Sequence, residues 1–477
     1  MVSASGTAHP LAPSWLSVPA DANDLPERVW PASAHRAGGE LVVGGLTATE
    51  LVSRHGTPLM VLDEDDVRGR AERTYRAFSH ATSRHGGTCR VYYAGKALLT
   101  ADIARWVLDA GLSIDVCSRG ELETALAAGV PADRIGFHGN NKSFGELERA
   151  VSVGIGTIIV DSDIEIERIG AITERLGRDQ RVLVRVRSGV HADTHEFLAT
   201  AHEDQKFGFS LDEGEAAVRR IRELPHVEFL GLHCHIGSQI FGVDGFRESA
   251  SRVLDLHQRL LDGGPVPLLN LGGGFGIAYT RVEDPAPIEE LADGIVDAVQ
   301  TECQARGIAL PALAFEPGRS IVGPGGITLY EVGTTKQVAV DTAQGAADRL
   351  YVAVDGGMSD NIRPALYGAH YSARIASRVS AADPTLVRVV GMHCESGDIV
   401  VDSEYLPSDV APGDLVAVAA TGAYSAAMAS NYNHVPRPPV VAVRDGETRV
   451  LLRGETIDDL LARDTGLLPP VRNQGEE

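Results

Sequence analysis

Cysteine is scarce in this sequence. The five thiols, Cys89, Cys117, Cys234, Cys303 and Cys394, are odd in number and scattered, and no CxxC pair occurs. That pattern suggests neither a disulfide framework nor a structural zinc site. A reducing cytoplasm suits it best. Long apolar runs are missing as well, so no transmembrane span is expected. The N-terminus lacks a basic start followed by an apolar core, so no secretory signal is expected. Basic residues are in deficit: 43 Lys and Arg stand against 65 Asp and Glu, a net charge of -22. An acidic surface of this kind disfavours nonspecific binding to nucleic acid or to anionic membranes. There is no internal repeat.

What is present points to a soluble enzyme-sized chain. At 477 residues it is too long for one ordinary domain, and two are expected. Residues 1–38 are rich in Ala, Ser, Pro and Gly without sustained periodicity, and read as a loose N-terminal arm. Residues 39–62 carry two short strands, near Leu41–Val43 and Leu59–Leu62, expected to join a later β domain. Over residues 63–323 short apolar runs alternate with helical patterns. The runs begin with Arg90–Tyr93, Ser113–Val116, Ile135–His138 and Thr157–Val160. Val182–Val186, Phe229–His233, Leu268–Leu271 and Ala312–Phe315 follow. Eight such units predict a (β/α)8 barrel. Over residues 324–477 helical patterns thin out and strand-like runs dominate, which predicts a C-terminal β-rich domain.

In a barrel of this kind the C-terminal ends of the strands face the active site. Lys96 ends the first run, Val91-Tyr92-Tyr93-Ala94-Gly95-Lys96. Most lysines at such places are simply solvated. A desolvated ε-amine, by contrast, loses ammonium character and can form a Schiff base with a carbonyl. His235 lies just past the sixth run, in His233-Cys234-His235-Ile236-Gly237-Ser238-Gln239. The pair could ligate a metal, but no acid or histidine at ligand spacing accompanies it. A packed core histidine and a ring that stacks on a cofactor or exchanges protons are the other readings. In the last, favoured one, His235 lies against a pyridine ring and Ser238 donates to a phosphate.

Leu271-Gly272-Gly273-Gly274-Phe275-Gly276 ends the seventh run. Gly273 and Gly274 let backbone N–H groups approach an anion closely, and strand ends seven and eight are where barrels commonly bind phosphate. A dinucleotide loop would come early in a βαβ unit, and this one comes late; the remaining alternative is a plain tight turn. Glu316-Pro317-Gly318-Arg319 ends the eighth run. Glu316 suits a pyridine nitrogen that must stay protonated, and Arg319 offers a fork of donors for a carboxylate or phosphate. A strand-end ion pair between the two is the plainer alternative. In the C-terminal part, Arg363 and Tyr367 stand four apart. Cys394 adjoins Glu395, and Tyr424 sits in a small-residue loop from which it could reach a phosphate. A thiol beside acids suits a protonated donor better than a nucleophile, although a free cysteine usually packs as a small hydrophobe.

Taken together these stretches supply what pyridoxal phosphate bound at Lys96 would need. Tyr93-Ala94-Gly95-Lys96-Ala97, His138-Gly139-Asn140-Asn141-Lys142-Ser143, the His235 loop and the triglycine loop resemble the diaminopimelate decarboxylase family, in the same order. So do Glu316-Pro317-Gly318-Arg319, the Arg363/Tyr367 stretch, Cys394-Glu395-Ser396-Gly397-Asp398 and the Tyr424 loop. The resemblance runs from about residue 40 to Leu461 and is most specific at Cys394–Asp398. It implies a fold-type III pyridoxal phosphate enzyme, with an alanine-racemase-type barrel and a β domain. It also implies decarboxylation of meso-2,6-diaminopimelate to L-lysine. By the same resemblance Lys96 carries the cofactor and Cys394 donates a proton. His235, Ser238, Gly273, Gly274, Glu316, Gly318, Arg319 and Tyr424 contact cofactor. Arg319, Arg363, Tyr367, Glu395 and Tyr424 contact substrate; no metal is implied. A homodimer follows in which Cys394 and Glu395 reach the partner's site. The alternatives are a decarboxylase of ornithine or arginine type, whose cationic substrates would want acids where Arg363 stands, and a non-catalytic regulatory homologue. Three departures from the family pattern stand at Arg119, Gly454 and Ala426-Ala427.

Overall fold

A computed structural model describes residues 9–190, 206–343 and 345–467. The chain forms two compact units. One holds Asp65–Gly325 with Gly422–Ala427; the other holds the chain up to Glu64, Gly326–Thr421 and everything from Met428.

The first unit is built on a closed parallel barrel. Its strands are Cys89–Ala94, Ser113–Val116, Ile135–Phe137, Thr157–Val160, Gln180–Arg185, Val227–His233, Leu268–Asn270 and Ala312–Phe315. Each pairs with the next in sequence, and the eighth closes on the first through Phe315 opposite Val91. Parallel strands covered on both faces are apolar throughout rather than alternating. Thr157–Val160 is of this kind, buried at every position; Ser113–Val116 is equally buried although Ser113 and Asp115 alternate with its apolar residues.

Four of the intervening helices start on side-chain caps, from Thr100, Ser118, Ser143 and Ser210. Ser143 caps Phe144–Val153 in a reciprocal box with Glu146, and the helix stops at Gly154 in the left-handed region. The same box, Ser210 with Glu213, opens Leu211–Glu223. Such caps satisfy N–H groups that the first turn leaves without partners. No helix among the described residues is long and apolar enough to cross a membrane.

The second unit centres on a nine-stranded sheet. Leu59–Asp63 lies inside it, antiparallel to Gly326–Thr342 and parallel to Val440–Arg444. Glu40–Val43 does not join that sheet; it pairs with His35–Ala37 and Leu46–Thr47 in a small sheet of its own. The segment before residue 38 is not a loose arm from His9 onward. Leu16 packs on Leu386 and Tyr405, and Trp30 is fully buried. These anchors are too few and too irregular to show a period. Strand Ile399–Pro407 also escapes sequence reading, because Asp402 and Glu404 interrupt its apolar run. Glu404 is buried there against Arg374, 2.9 Å away. Of the family departures, Gly454 is confined by Pro439, 3.1 Å from where a Cβ would stand.

Candidate active site

The strand ends of the barrel bring most of the predicted residues together. Lys96 sits in a short turn, Gly95–Ala97, just past the first strand. It makes no hydrogen bond or ion pair among the described residues. The sequence suggested an amine stripped of its charge. Desolvation does pull the Lys96 ammonium down, but Tyr424, Cys117 and Glu316 together outweigh it and the net shift is upward. The field of neighbouring groups that can turn anionic therefore favours a cation at Lys96.

Opposite stands Glu316, at the end of the eighth strand and nearly buried. Asn270 Nδ2 donates to its Oε1 at 2.6 Å, and His233 Nε2 lies 3.3 Å from its Oε2. His138 Nε2 is 3.2 Å from Oε1 and 3.4 Å from Asp115 Oδ1. Those two contacts are in ion-pair range without the alignment of a hydrogen bond, since His138 Nε2 lacks a hydrogen-bond partner. Burial by itself would push the Glu316 carboxyl up; His138 and His233 reverse that and hold it well below the ordinary range. Asp115, buried beside it and facing the Glu316 charge, is pushed up to about 7. So the fold collects His138, His233 and Glu316 with their ligand-type atoms within 4.8 Å of one another. Sequence spacing around His233 and His235 hid that grouping. It is a proton-sharing network, and we assign no metal to it.

His235 leaves this cluster and turns to the glycine loop, where Gly273 N–H donates to its Nδ1 at 3.3 Å. Desolvation holds its imidazolium well below the ordinary value, so the ring is neutral. Gly274 has φ +98, and a Cβ there would lie 2.3 Å from Gly237 O. At Gly273 a Cβ would lie 2.0 Å from Glu316 O. The two loops thus meet at a distance only glycine permits. Arg319 Nη2 donates to Ser238 Oγ at 2.8 Å, and its Nη1 donates to Tyr279 OH. The Arg319 guanidinium also lies 4.7 Å from the centre of the Tyr424 ring.

The Tyr424 loop, expected in the β domain, belongs to the barrel unit. Tyr424 N–H donates to Ala97 O at 2.8 Å, and Gly422 N–H donates to Gly323 O at 3.2 Å. Tyr424 has φ 61, a backbone region that costs energy for a bulky residue and is retained only where its surroundings impose it. Gly318 packs on the first strand, 3.0 Å from Ala94 Cβ to its own ideal Cβ.

Arg363, Tyr367, Cys394 and Glu395 lie in the other unit. Helix Arg363–Tyr367 parts its two candidates: Arg363 is 6% exposed and donates to Tyr371 OH, whereas Tyr367 is 62% exposed. Cys394 and Glu395 are both exposed. Their loop is built around Asp398, which is buried and accepts from His393 N at 2.8 Å and Met358 N at 2.6 Å. Among the described residues the Glu395 carboxylate accepts only from Ser396 and Gly397 of its own loop, each at 3.4 Å.

Sequence reading gave no role to Asp115, His138, Asn270, Tyr279 or Tyr371. Asp115, His138 and Asn270 stand at or just past a barrel strand's C-terminal end. The rule that picked out Lys96 therefore applied to them too. Lys142 was quoted as part of a motif but left without a task. It is 2% exposed and donates to Glu165 Oε2, Gly139 O and Ile159 O at 2.9, 2.6 and 2.8 Å. It thereby fixes the turn that follows His138. Lys142→Met should lower stability by about 3–5 kcal/mol, the usual cost of leaving one partner of a buried pair alone. The low end is expected, because Glu165 keeps the N–H groups of Asp161 and Lys142. A urea midpoint equal to wild type would show that the pair holds nothing.

Two buried carboxylates, Asp115 and Glu316, flank the His138 imidazole. An accessible lysine, a neutral imidazole and a glycine-only cradle stand near it. Pyridoxal phosphate, with an aldehyde, a basic ring nitrogen and a phosphate, fits that donor set.

Comparison with known proteins agrees. The family described as pyridoxal-dependent decarboxylase, pyridoxal binding domain, matches residues 68–323. The chain is similar to the diaminopimelate decarboxylase of Mycobacterium tuberculosis, at 52% identity over 92% of this chain and 98% of that one. It is similar to that of Bacillus subtilis at 44%, over 89% and 95%. The crystal structure of the M. jannaschii diaminopimelate decarboxylase with L-lysine superposes with a TM-score of 0.82 at 31% identity, covering 92% of this chain and 98% of that one.

Proposed function

The chain belongs to the diaminopimelate decarboxylase family, and from that premise we propose how its side chains share the reaction. It is a pyridoxal phosphate-dependent carboxy-lyase that releases CO2 from meso-2,6-diaminopimelate to give L-lysine. The bound cofactor supplies an electron sink for the charge left at Cα. Lys96 would hold the cofactor through its amine. Glu316 keeps the ring nitrogen protonated. His235, neutral and held by the Gly273 N–H, presents its face to the ring. Ser238, Gly273, Gly274, Gly318 and Tyr424 surround the phosphate. Arg319, with Arg363 and Tyr367, receives the carboxylate at the far end of the substrate, and Glu395 its ammonium. Cys394 delivers a proton to Cα. The observation that carries this reading is that Lys96 and the buried Glu316 stand just past the ends of two neighbouring strands of one barrel.

The active assembly is a homodimer in which Cys394 and Glu395 complete the partner's site. In support, both are exposed, and Tyr367 and Met392, 62% and 56% exposed, are large apolar side chains of the same unit. The protein works in the cytoplasm, a reading that its five free cysteines support.

Offering meso-diaminopimelate, L-ornithine and L-arginine and measuring CO2 tests substrate choice; preferred release from ornithine or arginine would overturn it. Glu395→Gln probes the distal contact. It trades a charge-assisted hydrogen bond, worth roughly 1.5–3 kcal/mol, for a neutral one near 1. The kcat/KM for diaminopimelate should drop by about two- to thirtyfold, the difference of roughly 0.5–2 kcal/mol between the two bonds, with cofactor affinity unchanged. Should Glu395 instead pair across the dimer, activity would fall on dilution and return at high protein concentration. An unchanged kcat/KM at every concentration would remove Glu395 from the site.

A further inference from the structure

A carboxyl as deeply placed as Glu316 would take up a proton if left alone, because burial penalises the charged form. Three side chains oppose this. Asn270 is neutral. His233 is neutral too: burial pushes its imidazolium down to about 4, and its Nδ1 has no hydrogen-bond partner. That leaves His138. Its Nε2 stands between two carboxylates, 3.2 Å from Glu316 and 3.4 Å from Asp115. Its ring meets His233 edge-on at 5.0 Å between centres. Backbone bonds and a buried clip hold it there. His138 N–H donates to Val116 O at 2.8 Å, and Lys142 fixes the Gly139 carbonyl that follows.

We propose that His138, as an imidazolium between Asp115 and Glu316, is the positioning residue that keeps Glu316 ionised and available to a cationic ring nitrogen. The proposal rests on the role given to Glu316 above. It separates the two acids. Desolvation works against charge on His138, but Glu316 and Asp115 raise it to about 9. Asp115, near 7, is then the member that gains or loses a proton around neutrality, while Glu316 stays charged. The other titratable groups whose charge reaches this cluster are Lys96, Cys117, Glu121, Arg185 and His235. Of these, Lys96 and Arg185 are cations that oppose a charge on His235, and neither touches Glu316 directly.

The test uses the full-length chain with cofactor removed and then restored. Infrared spectra of 13C-glutamate-labelled protein read the Glu316 carboxyl directly. In His138→Asn a protonated carboxyl band should appear at neutral pH. It should be absent from wild type and from the His138→Asn, Glu316→Gln double variant. With cofactor restored, kcat should fall at least about tenfold with KM within about twofold, and the acid limb of the kcat profile should move up toward neutrality. Wild-type kcat together with an unchanged carboxyl spectrum would overturn the proposal. If His138→Asn does not fold, histidine-15N spectra of wild type decide the matter. At about pH 8, where ordinary imidazoles are neutral, one ring should remain doubly protonated and should lose that proton in Glu316→Gln. All rings neutral at that pH would overturn the proposal. The spectra need no substrate, so a failure to release CO2 from diaminopimelate would strike the functional reading and leave the His138–Glu316 pair standing.

Discussion

Replacing Lys96 with alanine is expected to abolish turnover and the visible absorbance of the lysine-linked cofactor, while the fold survives. The fold should tolerate it because the Lys96 amine bonds to nothing within the described chain. Removing a partly desolvated cation leaves no buried group without a partner. The chemistry should not tolerate it, because no second amine stands in its place. Lys142, the other lysine near the strand ends, is committed to Glu165 and two carbonyls. Circular dichroism and gel filtration should match wild type, and CO2 release should fall to background. Partial recovery with added methylamine would separate a missing amine from a damaged pocket. Turnover near the wild-type rate would show that Lys96 is not the attachment residue.

Cys394→Ala carries the second largest effect. Loss of one general acid lowers kcat by on the order of 10²–10⁴, with cofactor binding unaffected. The variant also tests assembly. If each site takes Lys96 from one subunit and Cys394 from the other, a mixed dimer of Lys96→Ala and Cys394→Ala subunits holds one intact site. Equal mixing with full exchange should then recover about a quarter of wild-type activity, since half the dimers are mixed and each has one working site of two. No recovery after exchange is verified would reject the shared site. Because Cys394 and Glu395 occupy one loop folded around Asp398, the recovered activity should also carry the Glu395 dependence described above.

The barrel was legible because its strands are short, buried on both sides and interleaved with capped helices. The run Thr157–Val160 has the same bounds in sequence and structure. The site was legible where chemistry is local, as at Lys96, the triglycine loop and Glu316. It was not legible where partners come from distant strands. Asn270 and His233 lie 46 and 83 residues from the Glu316 they bond, and no short motif records such a meeting. For the same reason the charge on Lys96 was misjudged. Burial is visible in a strand pattern, but the neighbours that outvote it are not. The Tyr424 loop was assigned to the wrong unit because its flanks are strands of the β sheet, whereas its own backbone bonds reach Ala97 and Gly323.

The sheet of the second unit has a consequence for how the chain is made. Leu59–Asp63 emerges early, yet the strands on either side of it begin at Gly326 and Val440. At the usual rate of synthesis, about 5–20 residues per second, its last neighbour is made roughly twenty seconds to more than a minute later. Until Gly326–Thr342 is made both hydrogen-bonding edges of this buried five-residue strand are open, and one stays open until Val440–Arg444 follows, the template for wrong pairing between nascent chains. The eight barrel strands, all between Cys89 and Phe315, can close in the meantime. Premature termination between Gly325 and Val440 therefore yields a chain with its barrel strands complete and an adhesive strand, destined for chaperones or aggregates rather than for partial activity.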